Sequence, residues 1–200
     1  MKRILPGAAL ALATLTLAAG PAPVEWNVDA SHSGIEFSVK HFFTPVSGQF
    51  DEYDIELLFD RENPSASRVA VRIDVSSIDT GNEDRDAHLL SADFFDAEKY
   101  PWITFESDEV RVNGDGRLIV SGPLTIRDRT RRVELPVELL GVKEIPSEMQ
   151  AMLGGVEQVA SFSTGLALDR SDYGVGAGSW AAALIVGHEV TIDIAVEANR

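Results

Sequence analysis

Four histidines, His32, His41, His88 and His188, supply every imidazole in the chain, and there is no cysteine. The missing thiol excludes disulfides, thiolate zinc sites, iron–sulfur ligation and cysteine nucleophiles. No two histidines stand at a chelating spacing, and His32 and His41 differ by an odd number, so one continuous strand would point them to opposite faces. Asp84 and His88 pair at i,i+4 on a helix, but Asp86 lies on another side, which reads as a solvated surface. No metal and no cofactor is expected. Gly174-Val175-Gly176-Ala177-Gly178 superficially suggests a phosphate cradle, yet it lacks the preceding strand and following helix, and Asp169 and Asp172 flank it. It reads as a flexible loop. No Gly-x-Ser-x-Gly elbow presents a serine nucleophile, and the carboxylates fall mostly on wet strand phases, where nothing marks an acid–base pair. If the chain is an enzyme, His41, Arg170 and Asp172 are its candidates.

The elements that would position such groups are strands. Ile35, Phe37, Val39 and His41 alternate with Glu36, Ser38 and Lys40, the period-2 signature of one dry and one wet face. The same alternation recurs from Tyr53 to Phe59, Val69 to Val75, Val133 to Leu139 and Val190 to Val196. Further strands are expected over Glu25–Asp29, Trp102–Val112, Arg117–Arg127 and Val159–Leu168. Phe105 and Val110 share an inward phase only if a bulge or break separates them. Asn113-Gly114-Asp115-Gly116 reads as a hairpin turn. Pro136 must sit at a bulge or a poorly paired edge, since it donates no ladder bond, and an edge there offers a place for a homodimer to pair. The good helical stretch is Asn82 to Ser91, with Asn82 as cap. Lys143 to Gln158 reads as a loop or flap.

About eight amphipathic antiparallel strands, several of nine or more residues, favour a closed β-barrel of one domain with one short helix. A barrel of this size is either filled by side chains or hollow enough for one small ligand. The inward row includes Phe37, Val39, His41, Ile55, Leu57, Val71, Ile73, Phe105, Ile126 and Phe162. Alternation does not separate core packing from a dry tunnel for an apolar chain, with His41 a polar stop near the mouth.

Charge narrows the partners. Seventeen Lys and Arg against 32 Asp and Glu give a net charge of −15, which opposes binding to nucleic acid and to anionic membrane surfaces. Met1-Lys2-Arg3, an Ala/Leu-rich run from Ile4 to Ala19 and the small residues Ala18, Ala19, Gly20 and Ala22 read as a secretory signal peptide over 1–22, cut between 19 and 22. The barrel then spans 23–200, and a periplasmic location is expected.

Trp26-Asn27-Val28-Asp29-Ala30-Ser31-His32-Ser33, Phe37-Ser38-Val39-Lys40-His41 and Gly48-Gln49-Phe50 resemble the YceI-like family of bacterial lipid- or polyisoprenoid-binding proteins. Ser77-Ile78-Asp79-Thr80-Gly81, Arg85-Asp86-Ala87-His88-Leu89, Asp93-Phe94-Phe95-Asp96, Gly122-Pro123-Leu124-Thr125-Ile126-Arg127 and Leu168-Asp169-Arg170-Ser171-Asp172-Tyr173-Gly174 continue the likeness in the same order. The resemblance implies a lipocalin-like barrel holding an isoprenoid lipid or quinone, with no catalytic residues to carry over. Asp128 stands where the family usually has glycine, so the turn after Ile126 is expected to differ. The expected function is non-enzymatic binding, storage or transport of such a lipid, against an enzyme working at the barrel mouth or a packed interaction domain.

Overall fold

In a computed structural model, residues 23–200 are described apart from 115, 182 and 183; the signal-peptide reading lies outside the described residues. Twelve strand segments build eight long antiparallel strands. Four of these are interrupted: β1 (Val24–Val28) with β2 (Gly34–His41), β3 (Thr44–Phe50) with β4 (Tyr53–Phe59), β5 (Arg68–Asp74) with β6 (Ile78–Asp79), and β7 (Trp102–Glu106) with β8 (Glu109–Val112). The other four, β9 (Leu118–Ile126), β10 (Arg129–Glu144), β11 (Gln158–Asp169) and β12 (Val186–Asn199), run unbroken. Neighbours in sequence are neighbours in space, and the ring closes where β12 pairs with the first strand, Val28 opposite Ala198 and Phe37 opposite Ile192.

The interruptions have local causes. Asp29 accepts a hydrogen bond from the Ser31 backbone N–H and Asp74 from that of Ser76, and at the end of β11 Asp169 accepts from that of Ser171 in the same way. In each Asp-x-Ser the carboxylate replaces a ladder partner and turns the chain. Between β7 and β8, Ser107 N–H donates to the Val69 carbonyl and Asp108 N–H to that of Ser121, so Phe105 and Val110 both face inward and are buried. Gly122 makes that break possible, because a Cβ there would lie 2.0 Å from the Glu106 carbonyl oxygen. Pro136 marks the point where the β10–β11 ladder stops: it stays opposite Ile119 of β9, but pairing with β11 starts only at Val137. In the turn after Ile126 the left-handed residue is Arg127, at φ 57°. The helix α1 (Glu83–Leu90) is capped by Asn82, whose side chain accepts from Arg85 N–H. Lys143 to Gln158 is shorter as a loop than its sequence suggests, since β10 reaches Glu144, and it carries a single turn, α2 (Ser147–Gln150).

Each end of the barrel is closed differently. Trp26, Phe59, Leu118, Ala160, Phe162 and Ala198 plug one end, with Trp26 Nε1 donating to the Phe59 carbonyl at 3.2 Å. The other end is covered by Phe94 and Phe95 after α1 and by the segment from Arg170 to Trp180. That segment is not the flexible loop expected from its glycines: Tyr173 to Gly176 are buried. Arg170, only 4 % exposed, holds it down. Its Nε donates to the Gly187 carbonyl, Nη1 to Val175 and Gly176, and Nη2 to Trp180 and Val186, at 2.7–3.0 Å. All five guanidinium donors are thereby satisfied by backbone carbonyls. Arg127 adds two more bonds, Nη1 to Phe94 and Gly174 carbonyls.

Lysine keeps the charge but lacks the planar fork. Arg170→Lys is expected to lower stability by about 2 kcal/mol or more in urea denaturation, as carbonyls are left unpaired. Gly176 and Gly178 both have positive φ, 68° and 67°, but only at Gly176 would a Cβ meet Arg170 Nη1, at 2.3 Å. Gly176→Ala should therefore cost clearly more than Gly178→Ala in the same measurement; equal losses would contradict the clasp.

Candidate functional site

Inside a filled barrel the inward side chains are buried throughout. Here, along β12, Val190, Ile192, Ile194 and Val196 are only half-buried while Thr191, Asp193 and Ala195 face solvent. The difference is space within the bore. An upper cavity of about 160 Å³ lies under the Arg170 segment, and a lower one of about 110 Å³ lies above the Trp26 plug. Ile35, Val71, Phe105, Leu135 and Ile194 line both, so the two cavities adjoin inside the barrel. Val190 to Val196 alone spans about 20 Å at strand rise. Each cavity is roughly ten times the volume that holds one water.

The wall is apolar, and the charged groups at its margin are engaged or turned away. Glu36 lies on the exposed phase of β2. Arg68 Nη1 donates to the Ser65 and Ser67 carbonyls. Burial pushes the Arg170 guanidinium below its ordinary range, with Asp169 opposing, and burial raises the Tyr173 phenol, helped by Asp172. One polar side chain stands on the inward phase of β11: Thr164, opposite Val137 and Ile194, has a buried hydroxyl with no hydrogen-bond partner.

Of the residues named from the sequence, Phe37, Val39, Ile73 and Ile126 line the upper cavity, Ile55, Leu57 and Phe162 the lower, and Val71 and Phe105 both. His41 lines neither. It is exposed at the end of β2, its ring edge-on to Phe42 at 4.9 Å, where it still pairs with Val186 and Thr44 but beyond the register shift between Val186 and Val190 of β12. Asp172 is exposed too. Phe94, Tyr173 and Val175, which roof the upper cavity, lie in segments that look like turns in sequence; the signal available was Asp169-Arg170-Ser171, a repeat of the turn at Asp29.

A separate cluster forms where the barrel closes. His32 Nδ1 lies 3.0 Å from Asp29 Oδ2 and 3.7 Å from Glu197 Oε1. The three groups are close enough to share a cation, but they are partly or fully exposed, and their visible effect is electrostatic. The hydrogen bond to Asp29 raises the imidazole above its ordinary value, and the same bond lowers the Asp29 carboxyl.

The YceI-like domain profile matches residues 26–198. The chain belongs to the YceI-like family. A UPF0312 protein of Vibrio cholerae is 35% identical over 177 residues, covering 88% of this chain and 89% of that protein. The crystal structure of Burkholderia cenocepacia BcnA is similar with a TM-score of 0.75 at 27% identity, covering 86% of this YceI-like chain and 99% of BcnA. A polyisoprenoid binding domain from Saccharophagus degradans, implicated in plant cell wall breakdown, shares the fold with a TM-score of 0.62 at 14% identity, over 87% of this chain and 97% of that domain.

Two measurements check this description of the site. Thr164→Val keeps the shape and removes a buried, unpaired hydroxyl, so stability should rise by about 1 kcal/mol. For His32, a pKa raised in the fold contributes stability in full below about 6.5 and loses it as pH climbs through the raised value. An imidazole NMR titration should place His32 above that reference and lower it in Asp29→Asn, where Glu197 still holds it up.

Proposed function

We propose that this YceI-like barrel binds a long isoprenoid-type lipid, a quinone or polyprenyl chain, in its interior, and stores or carries it in the periplasm without chemical change. The observation that carries this reading is the pair of adjoining apolar-walled cavities inside the barrel, bordered along β12 by inward side chains that remain half-buried. Burying an apolar chain there is favourable by about 25 cal/mol per Å², before the costs of association. Such a sum favours slow release, which suits storage or handover. The fold shared with a polyisoprenoid binding domain supports the same ligand class, and the amino-terminal pattern of 1–22 supports export.

A carrier is favoured over an enzyme because the candidates for chemistry are committed elsewhere. Arg170 spends its donors on backbone carbonyls, and His41 and Asp172 are exposed and outside the lining of both cavities. The ligand-contacting residues we assign are Phe37, Val39, Ile73 and Ile126 above, Ile55, Leu57 and Phe162 below, and Val71 and Phe105 between them.

Organic extraction of protein purified from its native periplasm, followed by mass spectrometry, should release an isoprenoid lipid. Phe105→Glu places a carboxylate where the two cavities adjoin and should abolish that recovery while circular dichroism still reports a β-barrel. A lipid-free native protein, or a folded Phe105→Glu that still carries lipid, would falsify the proposal.

A further inference from the structure

Two loops beside the upper cavity expose large apolar side chains. In the β2–β3 turn Phe42 is 53 % and Phe43 93 % exposed, and just before β12 Leu184 is 78 % and Ile185 36 % exposed. The two loops are joined: Phe42 N–H donates to the Ile185 carbonyl at 2.6 Å, continuing the pairing of His41 with Val186. Phe42 holds a positive φ of 53°, which a bulky residue adopts only under constraint. The bond to Ile185 and the His41 ring against Phe42 supply that constraint and keep the aromatic pair at the tip. Val39, three residues before Phe42, and Val186, next to Ile185, line the upper cavity, so the exposed patch continues into the cavity wall.

We propose that Phe42, Phe43, Leu184 and Ile185 form a membrane-docking tip that enters the surface of a zwitterionic bilayer and presents the adjoining rim of the barrel to the lipid phase. This rests on the carrier reading above and names the place of loading. Clustered apolar groups at a protein's extremity mark interaction surfaces, and apolar side chains in the headgroup region bind in proportion to the area they bury. A lipid stored in the bore comes from a membrane, so continuity between tip and cavity lets it pass with little exposure to water. The net charge of −15 selects against anionic headgroups, since it is repelled by their surface potential. Another exposed apolar loop, with Met149, Met152 and Leu153, leads into β11 at the end plugged by Trp26, away from the upper cavity.

The test is co-sedimentation of the full barrel with phosphatidylcholine vesicles and with vesicles enriched in phosphatidylglycerol. Wild type should bind the former and bind the latter less. A double variant, Phe42→Asn to suit the positive φ and Phe43→Ser, should lose binding by roughly tenfold. A fluorescent farnesyl probe in vesicle-free solution should bind both proteins equally, which separates docking from ligand capacity. Wild type that binds the probe but not vesicles overturns the docking tip and leaves the carrier reading standing. Vesicle binding without probe binding supports the tip and removes the carrier reading. A concentration-dependent dimer in sedimentation velocity that the double variant abolishes, with vesicle binding unchanged, overturns the proposal in favour of a second copy of the chain.

Discussion

A guanidinium buried in a protein must find acceptors for five donors, or it takes back the stability that burial gives. Arg170 meets that demand with backbone carbonyls from Val175, Gly176, Trp180, Val186 and Gly187. The consequence is architectural. A segment that enters and leaves two long strands is fixed over the open end of the barrel, and Tyr173 and Val175 are carried to the roof of the cavity with it. No side-chain carboxylate hydrogen-bonds the guanidinium among the described residues, so its position is set by geometry and hydrogen bonding more than by ion pairing. A hollow interior leaves fewer apolar contacts for stability, which places more weight on such a clasp and on the Trp26 plug.

The barrel was legible from sequence because its rule is short-range. Alternation in Ile35–His41, Tyr53–Phe59 and Val190–Val196 requires only that neighbouring side chains face opposite ways, and Pro136 and the Phe105/Val110 spacing announced their irregularities by simple parity. The inward residues Phe37, Ile73, Phe105 and Phe162 follow from the same parity. Where the structure departs from what alternation predicts, the deciding partner is far away in the chain. His41 continues the inward phase on paper but lies beyond the register shift that β12 introduces between Val186 and Val190. Gly174 to Gly178 has the composition of a free loop, and what buries it is a side chain whose acceptors extend to Val186 and Gly187. Glu197 joins Asp29 and His32 only after the ring closes.

Hollowness itself is not a property of any one position. The same apolar row fills a barrel or lines a bore according to the sum of side-chain volumes against the ring's diameter. Valines at Val39, Val71, Val133 and Val190 leave the space that larger residues would occupy, and the half-buried state of β12 is its visible result. Two Asp-x-Ser turns and the Gly122 close approach break the wall into segments, so that strands too long for one straight path can wrap around that space.

The closure of the ring has a consequence for how the chain comes to be folded. The first strand finds its partner in the last one, Asn27 opposite Asn199 and Ile35 opposite Ile194, so nearly the whole polypeptide is looped out between two residues that must meet. Non-local pairing of this kind makes folding slow, and until the final strand arrives both edges of the curved sheet remain open templates for other chains. The barrel is therefore a structure that cannot be reached in part: its stability is posted at the carboxyl terminus, and a chain lacking β12 is an open, aggregation-prone sheet with no interior.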